Sequence, residues 1–164
     1  MNLSRHVIFP TATALVFAVA VFSSAQAGEG PAAGNVGVGL MLGSPTGLSA
    51  KYWLDQKTAV DTDIGWGWGG GTTFVADYLW HDFSAFSFIK DPATDGKLAF
   101  VVGAGARVQT DGNDPFGLRA VFGLSYFFPR NPFELYAEIV PVLVLVDHPD
   151  GDLDGGVGFR YYFR

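Results

Sequence analysis

One tetrapeptide recurs four times along this chain: Lys51-Tyr52-Trp53-Leu54, Asp77-Tyr78-Leu79-Trp80, Ser125-Tyr126-Phe127-Phe128 and Arg160-Tyr161-Tyr162-Phe163. Each copy is a polar residue, a Tyr and two bulky apolar residues, and each closes a stretch that alternates like a β-strand. Successive side chains of a strand point to opposite faces. The polar residue therefore faces one way in every copy, and the Tyr and the final apolar residue face the other. A sheet in water has little reason to end every second strand on outward aromatic groups. A barrel that spans a membrane does, because Tyr, Trp and Phe settle at the membrane–water boundary.

The rest of the chain supplies strands and turns to match. Eight strand-like stretches are expected, at about 36–42, 48–54, 59–68, 72–82, 98–109, 116–128, 133–145 and 154–163. About eight is also the minimum for a bacterial transmembrane barrel. Turn chemistry separates them: Gly43-Ser44-Pro45-Thr46-Gly47, Asp55-Gln56-Lys57, Gly69-Gly70-Gly71, Asp111-Gly112-Asn113-Asp114-Pro115, Pro129-Arg130-Asn131-Pro132 and His148-Pro149-Asp150-Gly151-Asp152. The long break at 83–97 carries Phe83, Phe86 and Phe88, which suits a short interfacial helix. Pro141 falls inside an apolar stretch and removes a ladder donor, so the pattern predicts either a bulge there or a shorter strand.

Residue parity sorts the side chains. One face takes Leu48, Ala50, Tyr52, Val60, Ile64, Phe74, Tyr78, Phe100, Leu118, Phe122, Leu135, Ile139, Val157 and Phe159. The other takes Lys51, Asp61, Asp63, Asp77, His81, Arg107, Arg119, Glu134, Glu138 and Arg160, with glycines between them. A soluble barrel would bury the first face, and a membrane barrel would bury the second. Three features favour the membrane form. The apolar face holds too many large aromatics for the narrow interior of about eight strands. Glycines beside the charges leave room for long side chains to cross that interior. The signs nearly balance, as a buried paired network requires, because an isolated buried charge costs several kcal/mol. A solvated exterior would instead mix in Ser, Thr, Asn and Gln.

The expected fold is therefore all-β, an eight-stranded antiparallel up-and-down transmembrane barrel over 36–164. The network of Lys51, Asp61, Asp63, Asp77, Arg107, Arg119, Glu134, Glu138 and Arg160 would plug its lumen. With both termini in the periplasm, Tyr52, Trp80, Tyr126, Phe128, Tyr161 and Phe163 form one aromatic girdle. Trp66, Trp68 and Phe74 begin the other.

The ends and the composition agree. Arg5 and His6 precede an apolar run, and Ala25-Gln26-Ala27 is a small-x-small cleavage site, so 1–27 reads as a removed signal peptide and 28–35 as a flexible leader. There is no Cys, so disulfides do not staple this exported chain. A formal net charge of −6 argues against nucleic acid and anionic surfaces as partners.

The C-terminal Gly158-Phe159-Arg160-Tyr161-Tyr162-Phe163 resembles the signal read by the assembly machinery of outer-membrane barrels, although Arg164 follows the last aromatic. Together with Gly43-Ser44-Pro45-Thr46-Gly47-Leu48-Ser49-Ala50-Lys51-Tyr52-Trp53, Asp77-Tyr78-Leu79-Trp80-His81 and Gly156-Val157, it makes nearly the whole chain resemble a family of small bacterial outer-membrane barrels. Their architecture is that of the OmpA membrane domain and OmpX. The resemblance implies a fold, an outer-membrane location, and membrane lipid and the barrel-assembly machinery as partners. It implies no reaction and no cofactor. Some relatives are regarded as cell-surface proteins that bind host factors, so a host or surface ligand belongs to what is implied.

Sites for chemistry are weak in this sequence. His81, Asp82 and Ser84 hold the elements of a hydrolase, but neighbouring strand residues point apart and no Ser motif accompanies them. His148 with Asp147, Asp150, Asp152 and Asp154 lacks the Gly-and-Glu frame of a calcium loop and reads as a solvated acidic loop. Gly37-Val38-Gly39 and Gly103-Ala104-Gly105 open no helix, so they are strand interiors rather than nucleotide loops. The expectation is a non-enzymatic structural or surface protein with no catalytic or metal residues. A narrow solute pore, a lipid-acting enzyme and a soluble periplasmic binding barrel are the alternatives.

Overall fold

A computed structural model of the chain describes residues 31–66, 71–88, 97–110, 116–129, 131–145 and 150–163. The signal-peptide segment, Trp68 and His148 lie outside the described residues. Eight strands follow one another: β1 (Val36–Ser44), β2 (Thr46–Trp53), β3 (Thr58–Trp66), β4 (Thr72–Asp82), β5 (Lys97–Gln109), β6 (Phe116–Phe127), β7 (Phe133–Val144) and β8 (Asp150–Phe163). Each pairs antiparallel with its neighbours in sequence, and β1 pairs with β8 from Val36↔Phe163 to Ser44↔Gly155, which closes the barrel. Closure satisfies the backbone groups that an open sheet edge would leave free.

The turn at 43–47 is narrower than expected, since β1 runs to Ser44 and β2 starts at Thr46, and three further departures have a physical reason. Pro141 neither bulges nor shortens β7, whose register with β8 is unbroken from Phe133↔Tyr161 to Val144↔Asp150. Pairing with β6 lapses instead, between Arg119↔Val142 and Phe122↔Ile139, where the proline has no N–H to give. The acidic stretch before Gly155 is not all loop, since Asp150–Asp154 lies in β8 opposite Val140–Val144. The break after β4 begins with bends and a turn over 83–88, and no helix occurs among its described residues.

Polarity is turned outward. Leu48, Tyr52, Trp66, Phe74, Tyr78, Trp80, Phe122, Leu135, Phe159 and Phe163 are exposed on the outer wall, while Lys51, Asp61, Arg107, Arg119, Glu134 and Arg160 are buried inside. A water-soluble barrel would carry these sides reversed. Near the termini the outer aromatics pack edge to face, Tyr126 on Phe128 (4.9 Å) and Tyr161 on Phe163 (5.0 Å).

Thin walls make room for the interior charges. A Cβ on Gly105 would stand 2.1 Å from Asp77 Oδ1, and one on Gly39 would stand 1.7 Å from the Phe159 carbonyl oxygen across the β1–β8 seam.

The β2–β3 turn is held by Asp55. Its carboxylate accepts the Lys57 and Thr58 amides (2.6 and 2.8 Å) and the Thr58 hydroxyl (2.6 Å). The Thr58 hydroxyl, followed by the two amides, holds the Asp55 pKa below its ordinary 3.8. The stabilisation is complete above that ordinary value and is lost as pH falls through the lower, folded one. The stability gap between wild type and Asp55→Ala should therefore be constant from neutral pH to about pH 4. It should close in stronger acid, as urea unfolding at stepped pH would record.

Candidate functional site: the ionic interior

Alternation along the strands aims the charged residues inward, and the register gathers them into two groups. The first lies toward the termini and centres on Glu134. Glu134 Oε1 accepts hydrogen bonds from Lys51 Nζ (2.7 Å) and Ser125 Oγ (2.7 Å), and Oε2 accepts from Arg160 Nη1 (3.4 Å) and the Tyr162 hydroxyl. Arg160 also donates through Nε and Nη2 to Ser49 Oγ (2.9 and 2.7 Å) and through Nη2 to Asp61 Oδ2. Its guanidinium lies 3.7 Å from the centre of the Tyr136 ring, a cation–π contact.

The second group lies toward the opposite end and centres on Arg119 and Asp154. Arg119 Nε donates to both oxygens of Asp77 (3.1 Å), and Nη1 donates to Asp154 Oδ2 (3.1 Å). Glu138 faces Arg119 Nη2 at 3.6 Å. Arg107 reaches Asp154 through Nη1 (2.9 and 2.8 Å) and the half-exposed Asp152 through Nη2 (2.6 Å), while Ser44 Oγ donates to Asp154 Oδ1 (2.8 Å). Leu79, Val101, Val121, Val140 and Val142 form an apolar cluster on the β4–β7 wall. It falls between the groups, since Leu79 separates Asp77 from His81 along β4 and Val121 separates Arg119 from Ser125 along β6.

An aromatic cluster lies at the terminus end. Trp53, Phe127 and Tyr162 pack together with Ala59 beneath Phe83. His81 stands among them, 4.4 Å from the Trp53 ring centre. Its Nδ1 lies 3.2 Å from the Lys57 carbonyl, which only accepts, so Nδ1 carries the proton and Nε2 accepts from Lys51 Nζ at 3.3 Å.

All nine residues expected in the lumen network project into the interior, and eight of them join ion pairs. Asp63 is buried, yet among the described residues no ion pair reaches it. Of the residues expected in the girdles, Tyr52, Trp80, Phe128, Phe163 and Trp66 are exposed on the outer wall, and Tyr126 and Tyr161 are half-buried there.

Sequence reasoning missed several partners. Asp154, the first residue of the eighth expected strand, was grouped with the acidic loop and left out of the lumen network, but it is buried and bridges Arg107 and Arg119. Ser49, Ser125, Tyr136 and Tyr162 were also passed over, though each shares the parity of a charged neighbour. The hydrolase elements do not assemble: Ser84 Oγ donates to Asp82, and His81 points into the barrel toward Lys51. Among the described residues no three His, Cys, Asp or Glu side chains are placed to hold a metal ion.

The barrel is similar to one solved structure in particular, the N-terminal β-barrel domain of OprF from Pseudomonas aeruginosa, with a TM-score of 0.55. The likeness covers 81% of this chain and 100% of that domain at 18% sequence identity. It is a likeness of fold, a closed eight-stranded antiparallel barrel. No protein-family model matches the chain, and no curated protein matches it.

Proposed function

We propose that this chain is a non-enzymatic barrel of the bacterial outer membrane with a sealed lumen, serving as a structural or surface-interaction protein. The observation that carries this reading is the Arg119 guanidinium, wholly buried and tied to Asp77, Asp154 and Glu138 on three strands at once. Such a crossbar joins β4, β6, β7 and β8 across the interior, the arrangement a sealed lumen needs. The outward belt of large apolar and aromatic side chains supports immersion in lipid.

Two measurements test the proposal. On gels of the membrane fraction the unheated protein should migrate differently from the boiled one, as a closed barrel does, and recovery wholly in the soluble periplasm would overturn the location. In planar bilayers the refolded wild type should be silent. Arg119→Ala removes the crossbar and should produce discrete openings. Openings already present in the wild type would reject the plug and leave the narrow pore as the function.

A further inference from the structure

A cavity of about 10 Å³ lies between the two ionic groups. Its lining takes Lys51, Asp61 and Arg160 from the first group, Glu138 from the second, and Leu79 and Val121 from the apolar cluster that parts them. Both signs therefore face the same small space. A metal cation there would meet the two bases, and an anion would meet the two carboxylates. Cavities that stay dry are apolar, whereas a polar one of this size is close to the least that holds one water.

Hydrogen-bonding capacity is left over on both sides of the cavity. Lys51 Nζ directs one N–H at Glu134 Oε1 and one at His81 Nε2, and an ammonium has three. Asp61 accepts from Arg160 through Oδ2, while its Oδ1 is buried with no partner. Lys51 and Asp61 stand directly across the β2–β3 ladder from each other, yet among the described residues no ion pair joins them. Glu138, the other carboxylate of the lining, meets Arg119 only at 3.6 Å. A buried carboxylate oxygen without a donor is costly.

We propose that this cavity holds one ordered water. The molecule accepts the third N–H of Lys51, donates one hydrogen to Asp61 Oδ1 and turns the other toward Glu138. Water suits a lining of mixed sign because it donates and accepts at once, and such a bridge is nearly as good as a direct hydrogen bond. It ties the group centred on Glu134 to the group centred on Arg119, so the ionic interior becomes one network with a solvent joint. The site goes beyond the reading of the lumen as sealed, since it is a single immobilised molecule and not a file of water.

A high-resolution crystal structure of the refolded protein tests the site directly. One density peak should lie within hydrogen-bond distance of both Asp61 Oδ1 and Lys51 Nζ. A cavity without density, or Asp61 Oδ1 bonded straight to Lys51, would overturn the water while leaving the seal intact. A column of peaks from mouth to mouth would overturn both. Stability gives a second reading. Val121→Ile adds one methylene to the lining and should expel the molecule, lowering the thermal midpoint by about 2–4 °C, the shift expected for one lost hydrogen bond. In a dry cavity the same methylene would fill empty space, so an unchanged or raised midpoint counts against the water. Overpacking also lowers midpoints, so a drop without the wild-type density peak counts against it equally. The wild-type density decides the matter even if the variant fails to fold.

Discussion

Arg160→Met should destabilise the barrel by about 3–5 kcal/mol, the usual cost of breaking a buried ion pair by removing one partner. Methionine roughly keeps the length and bulk of the stem, so the loss is electrostatic rather than a cavity effect. Arg160 is the shared partner of Glu134, Asp61 and Ser49, and its plane covers Tyr136. Its removal leaves Asp61 beside Asp63 and Asp77 with no cation bonded to it. Urea unfolding in detergent, followed by the fluorescence of the interior and rim tryptophans, would measure the change. Adding Asp61→Asn to the variant should recover part of the loss, since the stranded charge goes with it. An unchanged midpoint would mean that water enters the interior freely and screens the group.

The second large effect is expected at Gly39, where alanine should prevent closure altogether. The added Cβ would stand 1.7 Å from the Phe159 carbonyl oxygen and 2.7 Å from the Arg160 Cα, both backbone positions of the facing strand. No rotamer relieves a backbone collision, so β1 and β8 must part where the barrel zips shut. On gels, Gly39→Ala should lose the fast-migrating unheated form. Gly151→Ala is the control, because nothing lies within 4 Å of its added Cβ. A Gly39→Ala protein that still migrates as a closed barrel would show that the seam can shift to absorb a methyl group.

Strand number, order and the inside-out polarity were legible because period-two alternation is strong on β3, β4 and β6, where Asp77 and Arg119 have apolar neighbours on either side and only Thr62 interrupts the outer face beside Asp61 and Asp63. Pro141 was misjudged because the cost of its missing donor falls on the partner strand, which sequence does not name. Asp154 was left out of the lumen network because the acidic, glycine-rich stretch before it looks like loop, while β8 in fact extends back to Asp150 and pairs Asp154 with Val140. The division of the charges into two groups was not legible at all. It depends on the stagger between strands that are far apart in sequence, such as Ser49 beneath Arg160, and no local pattern carries that information.

The repeated tetrapeptide has a consequence at the terminus end. Its second residue turns outward, but its third turns inward, and in three of the four copies that residue is Trp53, Phe127 or Tyr162. With His81 and Phe83 they fill the terminus end of the cylinder with rings, whereas toward the other end Asp152, the outermost partner of the buried Arg107, is half exposed. Ends so unlike should answer a solute unequally: acid or denaturant added to a barrel oriented in a vesicle should reach the buried charges sooner from the Asp152 side.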